Sequence, residues 1–296
     1  MPDEYEWIPG SGGPPQPVPQ PGTIAACLVV RHEAALIERC LNSLAGVVDD
    51  IVVVHDGACE DDTLAIAARA GARVFVRERY GHSEYHLPFA YEQARGDWVL
   101  TIDADEFLSS ELRRQLRDLA AAPDVNGYEL LWPLWDGRRY LTTRGPHKRA
   151  LARRSALRMV GIIHSKGEVE GRVVRVALRL DHQPSYDNFA PGIMWRKWRP
   201  RAVLQADEYL ADLNTMPRFN YPGEVRWTPR RQWTNRWAGL LIGPAALHTF
   251  VHVFRSLRGE IPLGPRARFA FTQALYRGMV TAQVAARRHL RGSTSG

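Results

Sequence analysis

The stretch VLTIDADEF, residues 99–107, ends an apolar run on three acidic residues, Asp103, Asp105 and Glu106. Apolar runs of this length usually form buried strands, so three negative charges at the end of one need an explanation. Either a positive partner lies there, or the acids form a solvated strand end. The segments on both sides of the stretch bear on that choice.

Strand-like and helix-like segments alternate through the first half of the chain. Alternation at this spacing predicts crossover connections and an α/β fold, with a mostly parallel sheet flanked by helices. Ligands of such sheets bind beyond the carboxyl ends of the strands, where Arg31, Glu33, Asp56, Asp103 and Asp105 would share one edge. The predicted strands cover 23–30, 50–54, 72–76 and 98–102, and the predicted helices cover 33–44, 61–70, 86–94 and a segment from Ser109 or Ser110 to 119.

The Asp103-Ala104-Asp105 spacing places two carboxylates in one small volume at a strand end. Two uncompensated carboxylates repel each other, and a divalent cation removes that repulsion. Mg²⁺ or Mn²⁺ is often held by one or two carboxylates together with substrate phosphates. The position after the fourth strand therefore predicts a metal–diphosphate site. No GxGxxG follows the first strand and no GxxxxGK[ST] occurs, which argues against a dinucleotide enzyme and a P-loop NTPase.

Three segments resemble family 2 glycosyltransferases of the GT-A fold. Residues 29–33 (VVRHE) resemble the family's first-strand motif, residues 51–63 (IVVVHDGACEDDT) its second-strand motif, and residues 96–107 (GDWVLTIDADEF) its D-x-D segment. Bacterial lipopolysaccharide core glucosyltransferases are the most similar subgroup. Their V-H-E segment corresponds to Ile163-His164-Ser165, and their L-x-H-x-S-Y segment corresponds to residues 180–186.

The resemblance implies roles for individual residues. Glu33 and Asp56 would bind the nucleotide base, with Arg31 beside them at the donor site. Asp103 would hold the ribose or the water shell of the metal. Asp105 would ligate Mg²⁺ or Mn²⁺, with Asp103 and His164 as further metal or diphosphate ligands. Two departures stand out: His55 occupies a position where an acid is common, and Ser165 replaces the Glu of V-H-E.

The implied reaction moves a sugar from a nucleotide-diphosphate sugar to a hydroxyl acceptor, either a cell-envelope glycan or a lipid-linked one. One displacement inverts the anomeric centre, and an Asp or Glu takes the proton from the acceptor. Asp136 and Glu168 are the preferred bases, and Glu170, Asp181 and Asp187 stay open. A nucleotidyltransferase-like enzyme and a non-catalytic family member that binds nucleotide or anionic surfaces are the alternatives. Nucleic-acid binding ranks last, because the basic residues lie mainly outside the sheet-edge site.

Charge divides the chain into two regions. Residues 189–296 contain 17 Lys and Arg against 5 Asp and Glu, whereas residues 1–188 contain 22 against 27. The expected organisation is a flexible Pro/Gly-rich leader (1–22), a catalytic domain (23–188) and a basic, Trp-rich helical extension (189–296). Helices are predicted at 194–213, 237–257 and 266–290. The apolar stripe of the last helix would contact an anionic membrane, or pack on the catalytic domain or a second subunit in a homodimer.

Residues 1–10 lack the apolar segment of a secretion signal, and three cysteines without a CxxC pair suggest free thiols. The longest apolar run, 238–253, is short for a membrane span and contains two histidines. We therefore expect a cytoplasmic protein that binds peripherally to the inner face of the membrane.

Overall fold

A computed structural model describes residues 5–7, 20–165, 167–187, 190–221 and 223–293. The chain divides into two compact units. The first contains Met1–Trp135, Thr143–Ser185 and Pro217–Pro222, and the second contains Asp136–Thr142, Tyr186–Met216 and Gly223–Gly296. Most of the expected leader, 1–4 and 8–19, lies outside the described residues. Tyr5–Trp7 forms a short strand, and 20–22 belong to the second strand.

A nine-stranded mixed sheet forms the first unit. Its order is β1-β4-β3-β2-β5-β8-β7-β11-β6. The centre of the sheet is parallel, with β2 hydrogen-bonded to β3 and β5, and β3 to β4. The strands are β1 (Tyr5–Trp7), β2 (Gln20–Val30), β3 (Asp50–Asp56), β4 (Arg73–Arg77), β5 (Gly96–Thr101), β6 (Glu106–Leu108), β7 (Gly127–Leu131), β8 (His147–Arg153) and β11 (Val173–His182).

Helices cover this sheet and a small sheet adjoins it. The helices are α1 (Ile37–Leu44), α2 (Thr63–Arg69), α3 (Leu87–Gln93) and α4 (Ser110–Ala121), and the small sheet contains β9 (Leu157–Val160), β10 (Glu168–Val169) and β12 (Arg218–Phe219). Ser109 caps α4 by accepting a hydrogen bond from the Leu112 N–H at 3.2 Å. The predicted α/β class, the mostly parallel sheet and the helical C-terminal part are confirmed.

The core of the sheet explains why β2 and β5 read as uninterrupted apolar runs. Every residue from Ile24 to Leu28 is fully buried, and apolar clusters lie on both faces of the sheet. Gly96 at the start of β5 is required by close approach, since a Cβ there would lie 2.4 Å from the Ala25 nitrogen.

The second unit is helical. Its main elements are α5 (Pro191–Leu210), α6 (Pro229–Arg236), α7 (Ala238–Ser256) and α8 (Leu263–Ser293). Tyr276, Val280 and Val284 of α8 are buried, whereas Phe271 and Leu275 of the same helix are 62% and 41% exposed. The predicted apolar stripe of α8 is thus largely used in the core of this unit.

The helices of the described residues differ from ordinary membrane spans. No single helix in that part of the chain is long and apolar enough to cross a bilayer. The pair α6 and α7, bent by 113°, meets the length and composition of a span when the two helices are taken together.

Candidate active site

Three neighbouring parallel strands end at the edge where the sequence predicts a ligand. β2 ends at Val30 before the exposed Arg31, β3 ends at Asp56, and β5 ends two residues before Asp103. The parallel register of β2, β3 and β5 brings these ends to the same edge of the sheet. The predicted grouping of Arg31, Asp56 and Asp103 at one sheet edge is therefore present.

A tight turn holds the acidic segment. The Asp103 N–H donates to Glu106 Oε2 at 2.8 Å, and the Glu106 N–H donates to the Asp103 carbonyl at 3.0 Å. Glu106 is fully buried and also accepts a hydrogen bond from Trp132 Nε1 at 2.6 Å. Lys148 Nζ from β8 lies 2.7 Å from Asp103 Oδ2 and 2.7 Å from Glu106 Oε2. The positive partner of the acidic run is therefore a lysine more than 40 residues further along the chain.

Burial and neighbouring charges shift the pKa values of both Glu106 and Lys148. Burial raises the pKa of Glu106 to about 7, although the Lys148 ammonium lowers it. Burial lowers the pKa of Lys148, but the charges of Asp103 and Glu106 raise it above its ordinary value. Since two carboxylates surround the ammonium, Lys148 stays charged at neutral pH and brings a fixed positive charge to the strand edge.

Asp105 points to a different partner, His182 at the end of β11. β6 and β11 are antiparallel, with Glu106 opposite His182, and the Gln183 N–H donates to the Asp105 carbonyl at 2.8 Å. This pairing places His182 Nε2 3.3 Å from Asp105 Oδ2. The His182 ring stacks on Trp132 with centroids 4.2 Å apart. The D-x-D segment and the 180–186 segment are thus hydrogen-bonded neighbours.

A cavity of about 430 Å³ opens beside Asp103. Its apolar wall includes Leu87, Tyr91, Leu157 and Met159. Among the described residues the carboxylates that line it are Glu84 and Asp103, and the other polar groups include Lys148, His164 and Ser165. A largely apolar cavity with a few converging polar groups is typical of a small-molecule site.

Glu84 lies next to the segment Ile163-His164-Ser165, for which the resemblance implies a glutamate at position 165. Glu84 Oε1 accepts a hydrogen bond from the His164 N–H at 3.0 Å, and Glu84 Oε2 lies 3.1 Å from His82 Nδ1. His164 has a positive φ of 62°, which turns its N–H toward that carboxylate. A carboxylate is therefore present beside Ser165, although it comes from another part of the chain.

Asp56 is buried and bound by protein groups. It accepts hydrogen bonds from the Tyr80 N–H at 2.7 Å, the Gly81 N–H at 3.0 Å and His86 Nε2 at 2.8 Å. Burial raises its pKa, but the His86 and backbone hydrogen bonds outweigh burial and hold the pKa below its ordinary value. The His86 ring receives Arg77 Nη1 at 3.3 Å on its other nitrogen, so Asp56 orders the segment 80–86 that carries Glu84.

His55 precedes Asp56 on β3, and Glu33 follows the end of β2, the strand that pairs with β3. His55 is fully buried, its Nδ1 lies 2.7 Å from the Gly57 carbonyl, and burial lowers its pKa. A neutral imidazole therefore occupies position 55, where the resemblance implies an acid. The Glu33 N–H donates to Thr63 Oγ1 at 2.7 Å, and its carbonyl accepts from the Leu36 and Ile37 N–H groups.

The preferred base candidates lie elsewhere in the chain. Asp136 belongs to the second unit, where its carboxylate accepts hydrogen bonds from the Arg138 and Arg139 N–H groups at 2.9 and 2.8 Å. Glu168 is exposed on β10 and interacts with Tyr221. Neither residue is among the described residues that line the cavity, and their assignment as the base stays a prediction.

The acidic turn offers an incomplete donor set for a divalent cation. The described residues contain no group of three or more His, Cys, Asp or Glu side chains placed to hold a metal ion. Asp103 and Asp105 supply two carboxylates from one turn, and His182 contacts the second. Two carboxylates, one of them in contact with His182, fit Mg²⁺ or Mn²⁺ that also takes oxygens from water and a substrate diphosphate. The assignment of His164 as a ligand stays a prediction.

Sequence reasoning missed four groups of this site: Glu84, Glu106, Lys148 and His182 as a partner of Asp105. Glu106 and His182 belong to motifs that the resemblance had already identified, so a signal for them existed. Glu84 and Lys148 carry no local motif. They reach the site through packing between segments that are distant in sequence.

Two solved structures have a partial likeness to the chain. S. aureus TarS 1-349 in complex with UDP-GlcNAc has a TM-score of 0.42 at 15% identity, over 86% of this chain and 90% of TarS. Glucosyl-3-phosphoglycerate synthase from Mycobacterium tuberculosis, solved with Mn²⁺, UDP and glucosyl-3-phosphoglycerate, has a TM-score of 0.34 at 21% identity, over 46% and 59%.

Known proteins share part of the sequence at higher identity. An uncharacterized glycosyltransferase of Rickettsia felis is 39% identical over 105 residues, which is 36% of each chain. The lipopolysaccharide core biosynthesis glycosyltransferase LpsC of Rhizobium meliloti is 31% identical over 105 residues, 34% of this chain and 38% of LpsC. The matched stretch thus spans little more than a third of the length of these relatives. Residues 26–167, just under half of the chain, match the family model described as glycosyl transferase family 2.

Proposed function

We propose that this protein transfers a sugar from a nucleotide-diphosphate sugar to a hydroxyl acceptor, with inversion at the anomeric carbon. The observation that carries the proposal is the 430 Å³ cavity at the carboxyl edge of the sheet, lined by Asp103, Lys148 and Glu84 within a family 2 glycosyltransferase domain. One side of the cavity carries a fixed positive charge suited to a diphosphate. Another side carries a carboxylate suited to a proton transfer.

The bonds change in one displacement. The acceptor oxygen bonds to the anomeric carbon as the bond from that carbon to the diphosphate oxygen breaks, and the acceptor proton passes to a carboxylate. Asp103 and Asp105, with His182 behind Asp105, would hold Mg²⁺ or Mn²⁺, which when bound neutralises charge on the diphosphate. Lys148 adds a second positive group at the same edge, and the apolar wall with Tyr91 and Met159 excludes water from the sugar.

A panel of nucleotide-diphosphate sugars tests this proposal. Thermal unfolding is measured with each compound, with and without Mn²⁺, because a ligand that binds only the native state raises its stability. We expect one nucleotide class to raise the melting temperature of the wild type with Mn²⁺ present, and Asp105→Asn to lose the increase. Asp118→Asn, an exposed acid on α4, is the matched control. Equal shifts for wild type and Asp105→Asn would refute the metal role, and no shift with any donor would refute the function.

We further propose that the second unit binds a membrane peripherally and that the acceptor is lipid-linked or part of a cell-envelope glycan. Within the described residues, all of the strongly exposed large apolar side chains belong to this unit, and they are Trp195, Trp233, Trp237, Leu240, Ile242, Leu247, Leu263, Phe271, Leu275 and Leu290. Residues 238–254 of α7 contain no Asp, Glu, Lys or Arg, yet Ala238 is the only fully buried side chain described for that helix. Arg236 and Arg255 flank this apolar surface.

Vesicle co-sedimentation tests the membrane contact. We expect binding to vesicles of anionic phospholipid at low salt, weaker binding at high salt and little binding to neutral vesicles. Leu240→Asp and Leu247→Asp on α7 should weaken binding, because these side chains are 75% and 65% exposed. Asn42→Asp, at an exposed position of α1 in the first unit, adds the same negative charge and is the control. Negligible binding of the wild type to anionic vesicles at low salt would refute the contact.

A further inference from the structure

The second unit contains its own cavity, of about 260 Å³, built by α6, α7 and α8 with the end of α5. Its walls are apolar where α7 and α8 face each other, and include Leu241, Ala245, Val280 and Val284. Its polar rim carries three arginines, Arg230, Arg231 and Arg277. The cavity thus combines an apolar interior with a concentration of positive charge.

The charge at this rim has no carboxylate to balance it. No Asp or Glu lines the cavity among the described residues, and none of the three arginines has a carboxylate partner there within ion-pair distance. Other arginines of the same unit do, as Arg287 does with Asp207. Burial lowers the pKa of Arg231, and the nearby charges of Arg277 and Arg230 lower it further. An anion bound among the three arginines would relieve this repulsion.

Arg231 is held in place by contacts with α5 and with the cap of α6. The Arg231 guanidinium lies 4.0 Å from the centre of the Tyr209 ring. Thr228 caps α6 by accepting the Arg231 N–H, and Asn235 Nδ2 of α6 donates to the Tyr209 carbonyl at 2.8 Å. Tyr276 of α8 joins the same region through Gln205, at 2.8 Å. α6 and α8 are therefore anchored to α5 around the cavity.

We propose that this cavity binds a phosphate-bearing amphiphile. The phosphate lies among Arg230, Arg231 and Arg277, where guanidinium groups donate paired hydrogen bonds to its oxygens. The apolar chain of the ligand lies along Leu241, Ala245 and Val280. This proposal does not depend on sugar transfer at the sheet edge. It also differs from the proposed membrane contact of α7, because that contact requires a bilayer surface, whereas the cavity binds a single ligand molecule.

Calorimetric titration of the full chain tests the site with three soluble probes. Dodecyl phosphate below its micelle concentration carries both groups, inorganic phosphate carries only the charge, and dodecyl maltoside carries only the chain. We expect dodecyl phosphate to bind at least tenfold more tightly than either of the other probes. Each of three substitutions should weaken the binding of dodecyl phosphate about tenfold or more: Arg230→Gln, Arg231→Gln and Arg277→Gln. A loss of this size matches the removal of a charged hydrogen-bond donor.

Arg288→Gln is the control, because Arg288 is exposed on the same helix as Arg277 and does not line the cavity. Its affinity for dodecyl phosphate should stay within twofold of the wild type. Arg231 packs on Tyr209, so the Arg231→Gln protein can fail to fold. Arg230 is exposed, and Arg230→Gln therefore tests the site in a folded protein. Equal binding of inorganic phosphate and dodecyl phosphate would overturn the amphiphile assignment. An equal loss in Arg288→Gln would overturn the site in favour of a general basic field.

Discussion

Glu106→Gln isolates the contribution of the buried carboxylate behind the D-x-D turn. The substitution keeps the shape of the side chain but removes its charge and replaces one acceptor oxygen with an N–H₂ donor. Glu106 accepts from three donors: Lys148 Nζ, Trp132 Nε1 and the Asp103 N–H. Glutamine cannot accept from all three, so at least one donor is left facing another donor in a fully buried position.

The size of the effect follows from these contacts. Removing one partner of a buried ion pair costs about 3–5 kcal/mol. Lys148 is 23% exposed and keeps its 2.7 Å contact with Asp103, so water and the second carboxylate compensate part of the loss. We therefore expect a decrease of about 2–3 kcal/mol in the free energy of unfolding. For a unit of this size that corresponds to about 4–12 °C in melting temperature.

Thermal unfolding followed by circular dichroism, together with urea denaturation, measures the loss. Glu60→Gln, at an exposed loop position, is the control and should change the free energy by less than about 0.5 kcal/mol. The double variant Glu106→Gln, Lys148→Met should cost less than the sum of the two single variants by about 1–3 kcal/mol, because the pair is then absent as a whole. A Glu106→Gln protein as stable as Glu60→Gln would refute the reasoning, and so would strict additivity in the double variant.

Three further predictions concern other parts of the first unit. If Glu84 is the base, Glu84→Gln should lower kcat about 10²–10⁴-fold without changing donor affinity. Glu168→Gln and Asp136→Asn test the two other candidates for the base. Normal turnover in Glu84→Gln would exclude Glu84 from this role. Asp56 has a lowered pKa in the folded state, so its stabilising effect is present above its unfolded pKa of about 3.9 and is lost as the pH falls through the folded value. The free energy of unfolding, measured at decreasing pH, should therefore fall less steeply in Asp56→Asn than in the wild type. Gly96→Ala should destabilise the fold by more than about 2 kcal/mol, because the new Cβ meets the Ala25 backbone at 2.4 Å; urea denaturation measures it, and a near-neutral result would contradict the close approach of β5 to β2.

The central sheet could be predicted from the sequence because its signals are local. β2, β3 and β5 are continuous apolar runs, and the helices between them have helical spacing and usable end signals such as the Ser109 cap. Their parallel pairing follows from the crossover lengths. The edge at which Asp56 and Asp103 lie follows in turn, since parallel strands present their carboxyl ends together.

The remainder of the site depends on pairing between distant segments. β8 is inserted between β5 and β7 in antiparallel orientation, and this insertion delivers Lys148 to the acidic turn. β6 has only three residues and exists because β11 pairs with it. Neither pairing leaves a local pattern, because a strand's partner is not encoded in its own periodicity. Glu84 likewise has no local signal in the sequence, because it reaches the cavity through the hydrogen bonds of Asp56 with the segment 80–86.

The second unit shows a different limit of sequence reasoning. The spacing in 266–290 correctly predicts a helix, but both the buried Tyr276 and Val280 and the exposed Phe271 and Leu275 belong to its apolar residues. Helical periodicity predicts a helix with an apolar stripe, but it does not tell which residues of a wide stripe are buried. The apolar residues of this helix lie on two faces. One face forms the core of the unit, and the other remains for a further contact.

The acidic run after β5 therefore contains residues of three kinds. Glu106 is buried and holds the turn, Asp103 shares Lys148 with it at the cavity, and Asp105 is directed to His182. A lone metal ion would meet the Lys148 charge, and a lone diphosphate would meet the two aspartates, so each ligand alone faces a like charge. A metal–diphosphate complex carries both signs and can place its cation toward the aspartates and its anionic oxygens toward Lys148. This arrangement predicts that Mn²⁺ and a nucleoside diphosphate bind cooperatively. Calorimetry should show weak binding of each alone and at least a tenfold gain together, and Lys148→Met should reduce that gain. Equally tight binding of the nucleotide with and without Mn²⁺ would contradict this account of the acidic segment.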